Sequence, residues 1–116
     1  MHRPKRGEIY LIDDEEDVNN DGRPFVVISA NAINGGHSVL IVPFYSQQIE
    51  ERTSREYCVL FYKNEAGLSK TCVAKCDEMG LLNKTVINWS VGPIGQMDDG
   101  QLKRLMEGCK YAIGID

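Results

Sequence analysis

Three short stretches of this 116-residue chain carry side chains able to do chemistry on an anion. In the first, Arg23 stands between Gly22 and Pro24, at the mouth of the apolar run Phe25-Val26-Val27-Ile28. Proline can open a strand but has no N–H to donate inside a ladder. Arg23 is thereby held at a strand end, charged at any relevant pH and offering five donors. Such a residue either greets a phosphate or carboxylate or pairs with an acid close by. In the second, Tyr45-Ser46-Gln47 follows the apolar run ending at Phe44, so hydroxyls and an amide replace aliphatics where a buried strand runs out. Binding residues collect at such ends. In the third, strand alternation over Thr71 to Met79 puts Val73, Lys75 and Asp77 on one face and Cys72, Ala74 and Cys76 on the other. The small apolar face is core. The other ends in a cation and an anion two residues apart, which form either a weak surface pair or part of a site.

Other chemistries find little support. Cys58, Cys72, Cys76 and Cys109 include no pair at two-residue spacing, and both histidines, His2 and His37, lie far from them, which argues against a zinc site. On a strand, Cys72 and Cys76 would stand about 13 Å apart, beyond disulfide reach. The cysteines are read as reduced, mostly buried small hydrophobes. No phosphate-cradling glycine loop, nucleophile elbow, repeat or low-complexity tract occurs. No apolar run approaches the ~20 residues of a membrane helix, and the basic N-terminus lacks the apolar stretch of a signal peptide. A cytoplasmic protein is expected. The net charge of −4 weighs against a nonspecific nucleic-acid coat protein. It is unevenly spread, however. Asp13, Asp14, Glu15, Glu16, Asp17 and Asp21 hold six of the seventeen acids, and the remainder is slightly basic, with 13 cations against 11 anions.

The elements that position these residues follow from periodicity. Residues 6–12 read as a first, largely buried strand; residues 13–22 cannot bury themselves and read as an exposed acidic loop. A second strand is expected over 24–30 and a turn over 31–37, where Asn34-Gly35 is a reversal signal. His37 reads as an exposed loop residue. A third strand, 38–44, is continuously apolar and should be central in its sheet. Residues 49–55 form a polar loop or short helical turn, 56–63 and 71–79 further strands, and 85–91 a weak strand, with bends at Gly92 and Gly95. Asp98 and Gln101 form a capping box for a C-terminal helix over 98–113. Leu102, Leu105, Met106, Cys109, Ala112 and Ile113 make its core face, and Gly114 ends it. Strands first and one firm helix last predict one domain over 1–116: mainly β with α, a strongly bent antiparallel sheet or small barrel with a C-terminal α-helix.

The stretches also match a family. The pieces are Arg6-Gly7-Glu8-Ile9-Tyr10, Gly22-Arg23-Pro24 leading into Val26-Val27-Ile28-Ser29, Val42-Pro43 followed by hydroxyls, and Val73-Ala74-Lys75-Cys76-Asp77-Glu78. A Gly-x-x-x-Asp lead-in to the terminal helix completes the set. No piece is specific alone. In this order and spacing, over residues 6–115, they resemble the MazF/PemK toxins of type II toxin-antitoxin systems. The resemblance implies a homodimer of small SH3-like antiparallel β-barrels that cleaves single-stranded RNA at short motifs without metal or other cofactor. DNA is not the substrate. A small antitoxin neutralises such toxins with a disordered tail laid in the RNA groove. In the family's scheme a ribose 2′-hydroxyl attacks the adjacent phosphate. That needs a base, a proton source for the leaving 5′-oxygen and positive charge on the phosphorane. The family's arginine falls on Arg23 and its hydroxyl on Ser46 or Tyr45, Ser46 being the closer chemical match. The PemK-type catalytic pair falls on Lys75 and Asp77. Tyr45, Gln47 and Arg23 are the expected RNA contacts.

Three departures stand out. Lys75 is a point charge where a bidentate arginine is expected. The loop before Arg23 is acidic and would repel phosphate within a Debye length of roughly 8–10 Å. No histidine falls in a base position, since His2 and His37 match none. The alternative reading is a non-catalytic or CcdB-like barrel acting by binding gyrase or an antitoxin. The ending Tyr111-Ala112-Ile113-Gly114-Ile115-Asp116 lacks the tryptophan-led terminus of that branch and favours the ribonuclease.

Overall fold

The computed structural model describes residues 2–13 and 23–115; the acidic loop expected over 13–22 lies, beyond Asp13, outside them. Strands β1 (Glu8–Leu11), β2 (Pro24–Val27), β3 (Ser38–Tyr45), β4 (Cys58–Phe61), β5 (Cys72–Lys75), β6 (Gly80–Asn83) and β7 (Gly95–Gln96) are all antiparallel in the order β4-β5-β3-β2-β1-β7, with β6 also on β3. Helices α1 (Ile49–Thr53) and α2 (Asp99–Ala112) complete the fold.

β3 is the hinge of the architecture. Its first half pairs with β6, from Ser38↔Asn83 to Ile41↔Gly80, and its last residues pair with β5 through Phe44↔Ala74 and Tyr45↔Val73. Val42 and Pro43 fall between the two pairings, where β3 passes from one partner to the other and the sheet bends. The result is a strongly curled antiparallel half-barrel with the helix at one side. Both faces of the central strands are covered, which is why β3 reads as continuously apolar. Ile9, Val26 and Val42, in register across β1, β2 and β3, face a core shared with Phe44, Phe61, Leu105 and Cys109. Their neighbours Tyr10, Phe25, Val27 and Ile41 point the other way and pack with Val39 and Ile87.

α2 begins as its sequence dictates. The Asp98 carboxylate accepts from the Gln101 backbone N–H at 2.7 Å, and the Gln101 side chain accepts from the Asp98 N–H at 2.9 Å. Leu105 and Cys109 are buried beneath it, and Gly114 ends the chain reversal with φ 80°. Ile113, expected on the core face, is instead 59% exposed, because it caps the helix rather than continuing its stripe.

Several expected boundaries shift, each for a local reason. β2 stops at Val27 because a side chain takes over the ladder: the Leu40 N–H donates to the Ser29 hydroxyl at 3.1 Å. Asn34 and Gly35 reverse the chain as expected, with the Gly36 N–H donating to the Ile33 carbonyl at 3.2 Å, and Asn34 does more. It is buried, its amide donates to the Ser29 carbonyl at 3.1 Å and it accepts from the Ser29 hydroxyl, plugging the 31–37 turn from within. His37 is exposed, as expected. Residues 85–91 form no strand. Ile87 makes one isolated bridge to Ile12 and fills the second core, while the Trp89 indole donates to the Lys84 carbonyl at 2.9 Å. The strand lies earlier, at β6, and the Asn83 side chain caps the turn that follows by accepting from the Thr85 N–H. All four cysteines are free and buried, and burial pushes the Cys72 thiol up to about 12.

Candidate active site

The mouth of the curl is a cleft of about 650 Å³ beside the β3 C-terminus, lined by residues from several strands and the loops between them. Arg23 and Pro24 come from the start of β2, Tyr45, Ser46 and Gln47 from the end of β3, Leu68, Ser69 and Lys70 from the β4–β5 connection, and Ile94 from the approach to β7. Gln48, in the left-handed region at φ 54°, turns the chain sharply from β3 into α1 and leaves Ser46 and Gln47 exposed at the cleft. Such a conformation costs a non-glycine residue about 1–2 kcal/mol and clusters at functional sites.

Arg23 is held at the strand mouth by its backbone: its carbonyl accepts from the Ile12 N–H at 3.0 Å. The side chain is exposed and, among the described residues, forms no ion pair or hydrogen bond. At the cleft mouth its exposed planar fork is suited to two oxygens of one phosphate.

Lys75 and Asp77 sit differently from expectation. β5 ends at Lys75, and residues 76–78 form a tight helical turn, so the two do not share a strand face. The turn forms because Cys76 is drawn inward: its N–H donates to the Tyr57 carbonyl at 3.0 Å, and its thiol lies 3.7 Å from the Leu105 carbonyl of α2. Neither Lys75 nor Asp77 lines the cleft. Their charges still approach, at 3.9 Å, but Lys75 bonds Glu78 far more closely, at 2.5 Å. Sequence alternation missed Glu78, since position 78 falls on the core-facing side of an extended strand. Only the turn after Lys75 brings it out.

Glu78 is the centre of a polar knot. One carboxylate oxygen accepts from the Tyr45 hydroxyl at 2.6 Å, and the other pairs with Lys75. The hydrogen bonds from Lys75 and Tyr45 hold the Glu78 carboxyl below its ordinary range. The same bonds raise Tyr45 and Lys75 in turn, so both keep their protons. Arg52 of α1 stacks its guanidinium 4.5 Å from the centre of the Tyr45 ring, and the Lys75 ammonium lies 5.3 Å from it. Tyr45 is thus a fixed aromatic surface flanked by cations. With its proton committed to Glu78, Tyr45 is no free donor, whereas the Ser46 hydroxyl makes no hydrogen bond among the described residues. Both histidines lie elsewhere: His2 stacks on Trp89 at 4.0 Å, and His37 is in the β2–β3 loop. Among the described residues, no three His, Cys, Asp or Glu side chains gather as metal ligands, and no helix is long and apolar enough to cross a membrane.

Comparison with known proteins identifies the family and the fold. Residues 5–112 match the family described as PemK-like, MazF-like toxins of type II toxin-antitoxin systems. Among solved structures, an endoribonuclease from a mycobacterial species superimposes with a TM-score of 0.75 at 19% identity, over 99% of this chain and 95% of that one. A mycobacterial endoribonuclease in complex with its cognate antitoxin gives 0.74 at 18%, over 97% of each. A MazE–MazF complex from Deinococcus radiodurans gives 0.73 at 15%, over the full length of both. At these identities the superpositions speak for the fold. No curated protein matches the sequence.

Proposed function

The chain belongs to the PemK-like, MazF-like toxin family of type II toxin-antitoxin systems, and on that premise we propose that its cleft cleaves single-stranded RNA by attack of a ribose 2′-hydroxyl on the adjacent phosphate. The observation that carries the reading is Arg23, an exposed guanidinium sharing one cleft with Tyr45, Ser46 and Gln47. The phosphorane gathers negative charge that a fixed two-pronged cation stabilises more than it does the starting diester. Ser46 donates to a phosphate oxygen, Tyr45 offers a face for a base, and Gln47 reaches base or sugar edges. Lys75 and Asp77 act from behind this row, with the Lys75 ammonium beside the Tyr45 ring. The reaction in this reading needs no metal, and the base comes from the carboxylates next to Lys75. The working form is a cytoplasmic homodimer, neutralised by a cognate antitoxin, the kind of complex in which two of the structural relatives were solved.

The test is direct. In EDTA, the purified protein is expected to cut a long single-stranded RNA at reproducible short motifs, leaving 5′-hydroxyl and 2′,3′-cyclic phosphate ends. Absence of cutting, with blocked gyrase turnover in its place, would replace this reading with the CcdB-like one.

A further inference from the structure

The ribonuclease reading leaves the base to the carboxylates beside Lys75, and one of them, Glu78, lines the cleft. Among the described residues lining it, Glu78 is the sole aspartate, glutamate or histidine. Asp77 lies outside the lining, His2 stacks on Trp89, and His37 lies in the β2–β3 loop away from the lining. We propose that Glu78 is a catalytic residue, the general base that takes the proton from the attacking 2′-hydroxyl; this rests on the ribonuclease reading above.

The geometry suits the role. A carboxylate has about four lone-pair positions. Tyr45 takes one on the first oxygen, and Lys75 takes one on the second, which fixes the carboxylate plane and leaves a lone pair on each oxygen. The side chain remains 39% exposed at the cleft, so a ribose can reach it. The step balances simply. The 2′-hydroxyl proton passes to a Glu78 oxygen as the 2′-oxygen bonds phosphorus; the bond from phosphorus to the 5′-oxygen breaks, and that oxygen takes a proton from water. Glu78 then returns its proton to solvent, regenerating the carboxylate with no change in oxidation state.

The groups facing Glu78 set its pH behaviour. Tyr45 comes from β3, Lys75 from β5, Arg52 from α1 and Asp77 from its own turn, while Arg23 and Lys70 share the cleft. From α2 the approach to this turn is uncharged, through Leu105 and Gly108 against Cys76. The donors Lys75 and Tyr45 hold the carboxyl below its ordinary range. A base with lowered pKa stays ionised across neutral pH and fails only when pH falls through that lowered value. The acid limb of the rate profile should therefore lie below the ordinary glutamate range of about 4.3, far from the ~6.5 of a histidine base.

The experiment measures kcat/KM in EDTA from the lowest pH at which the fold survives to pH 9. The substrate is an RNA oligonucleotide carrying one mapped cut site; binding of its 2′-deoxy analogue is measured in parallel. Glu78→Gln should lose roughly 10²–10⁴-fold in kcat, the usual share of general-base catalysis. Its acid limb should vanish, and analogue binding should hold within a few-fold. Glu78→Asp should recover part of the rate together with an acid limb. Asp77→Asn should lower the rate yet keep the limb. Wild-type cutting with Glu78→Gln within tenfold of it, or with an unchanged acid limb, would overturn Glu78 as base while leaving the ribonuclease reading intact. A wild-type protein that cuts no RNA would overturn both.

Discussion

Arg23→Ala is expected to reduce RNA cleavage by about 10²–10³-fold, the typical loss when one preorganised donor to a developing oxyanion is removed. The loss should fall mainly on kcat. An exposed guanidinium gains little from the ground-state diester through water, but gains more as charge concentrates on the phosphorane within the cleft. Folding should be unaffected. Arg23 is exposed and its side chain makes no hydrogen bond or ion pair with the described residues that an alanine would forfeit; its positioning bond, from the Ile12 N–H, uses the backbone. Arg23→Lys should sit between the two, because an ammonium keeps the charge but loses the fork that meets two phosphate oxygens together. A rate within a few-fold of wild type for the alanine variant, measured on a mapped oligonucleotide in EDTA, would remove Arg23 from the chemistry.

Gly95→Ala should carry the largest cost to stability. Gly95 opens β7 at one margin of the curled sheet, and the turn Glu65–Gly67 rises from the β4–β5 side to meet it. A Cβ at Gly95 would stand 1.7 Å from the Ala66 carbonyl oxygen and 2.8 Å from the Gly67 Cα. Those are backbone atoms and cannot rotate away. Nor can the turn shift cheaply: Gly67, at φ +84°, would bring its own Cβ to 2.3 Å from the Ile94 carbonyl oxygen. The two glycines allow backbone to meet backbone where the curl closes, and Ile94 and Leu68, flanking the seam, form part of the cleft wall. Overpacking of this kind costs about 3 kcal/mol or more, a fall of roughly 10 °C or more in Tm for a chain this size. Gly80→Ala is the matched control. Nothing lies within 4 Å of its Cβ and its φ is ordinary, so thermal unfolding should change by no more than about 0.5 kcal/mol. Equal melting of the two variants would contradict the seam.

What could be read before any coordinates follows from how local each signal is. The capping box of α2 needs only Asp98 and Gln101 in the right spacing, and it forms as written. β3 is central because six consecutive apolar positions, 39–44, leave neither face suited to water, and the strand does pair on both edges. The bend is also visible in hindsight at Pro43, which falls between its two partners on one edge. Non-local competition was illegible. Asn34 does sit in the expected reversal, but that it is buried and bonded to Ser29 could not be read from the turn signature. Ile87 and Trp89 have the look of strand residues but fill a core from an irregular segment. The same limit shaped the site. Arg23, Tyr45, Ser46 and Gln47 sit at strand ends that periodicity marks, and all reach one cleft. The Lys75–Asp77 pairing rested on alternation continuing past Lys75. The tight turn over 76–78 ends that alternation just past Lys75, and Glu78 rather than Asp77 enters the cleft.

The central claim is that a ribose 2′-hydroxyl attacks its own phosphate in the cleft beside Arg23. Replacing the single ribonucleotide 5′ to a mapped cut site with its 2′-deoxy counterpart removes the nucleophile and little else. Cleavage at that site should disappear while the oligonucleotide still binds within a few-fold of the all-RNA substrate. Undiminished cutting at the deoxy position would mean that water or another nucleophile does the work, and would contradict the account.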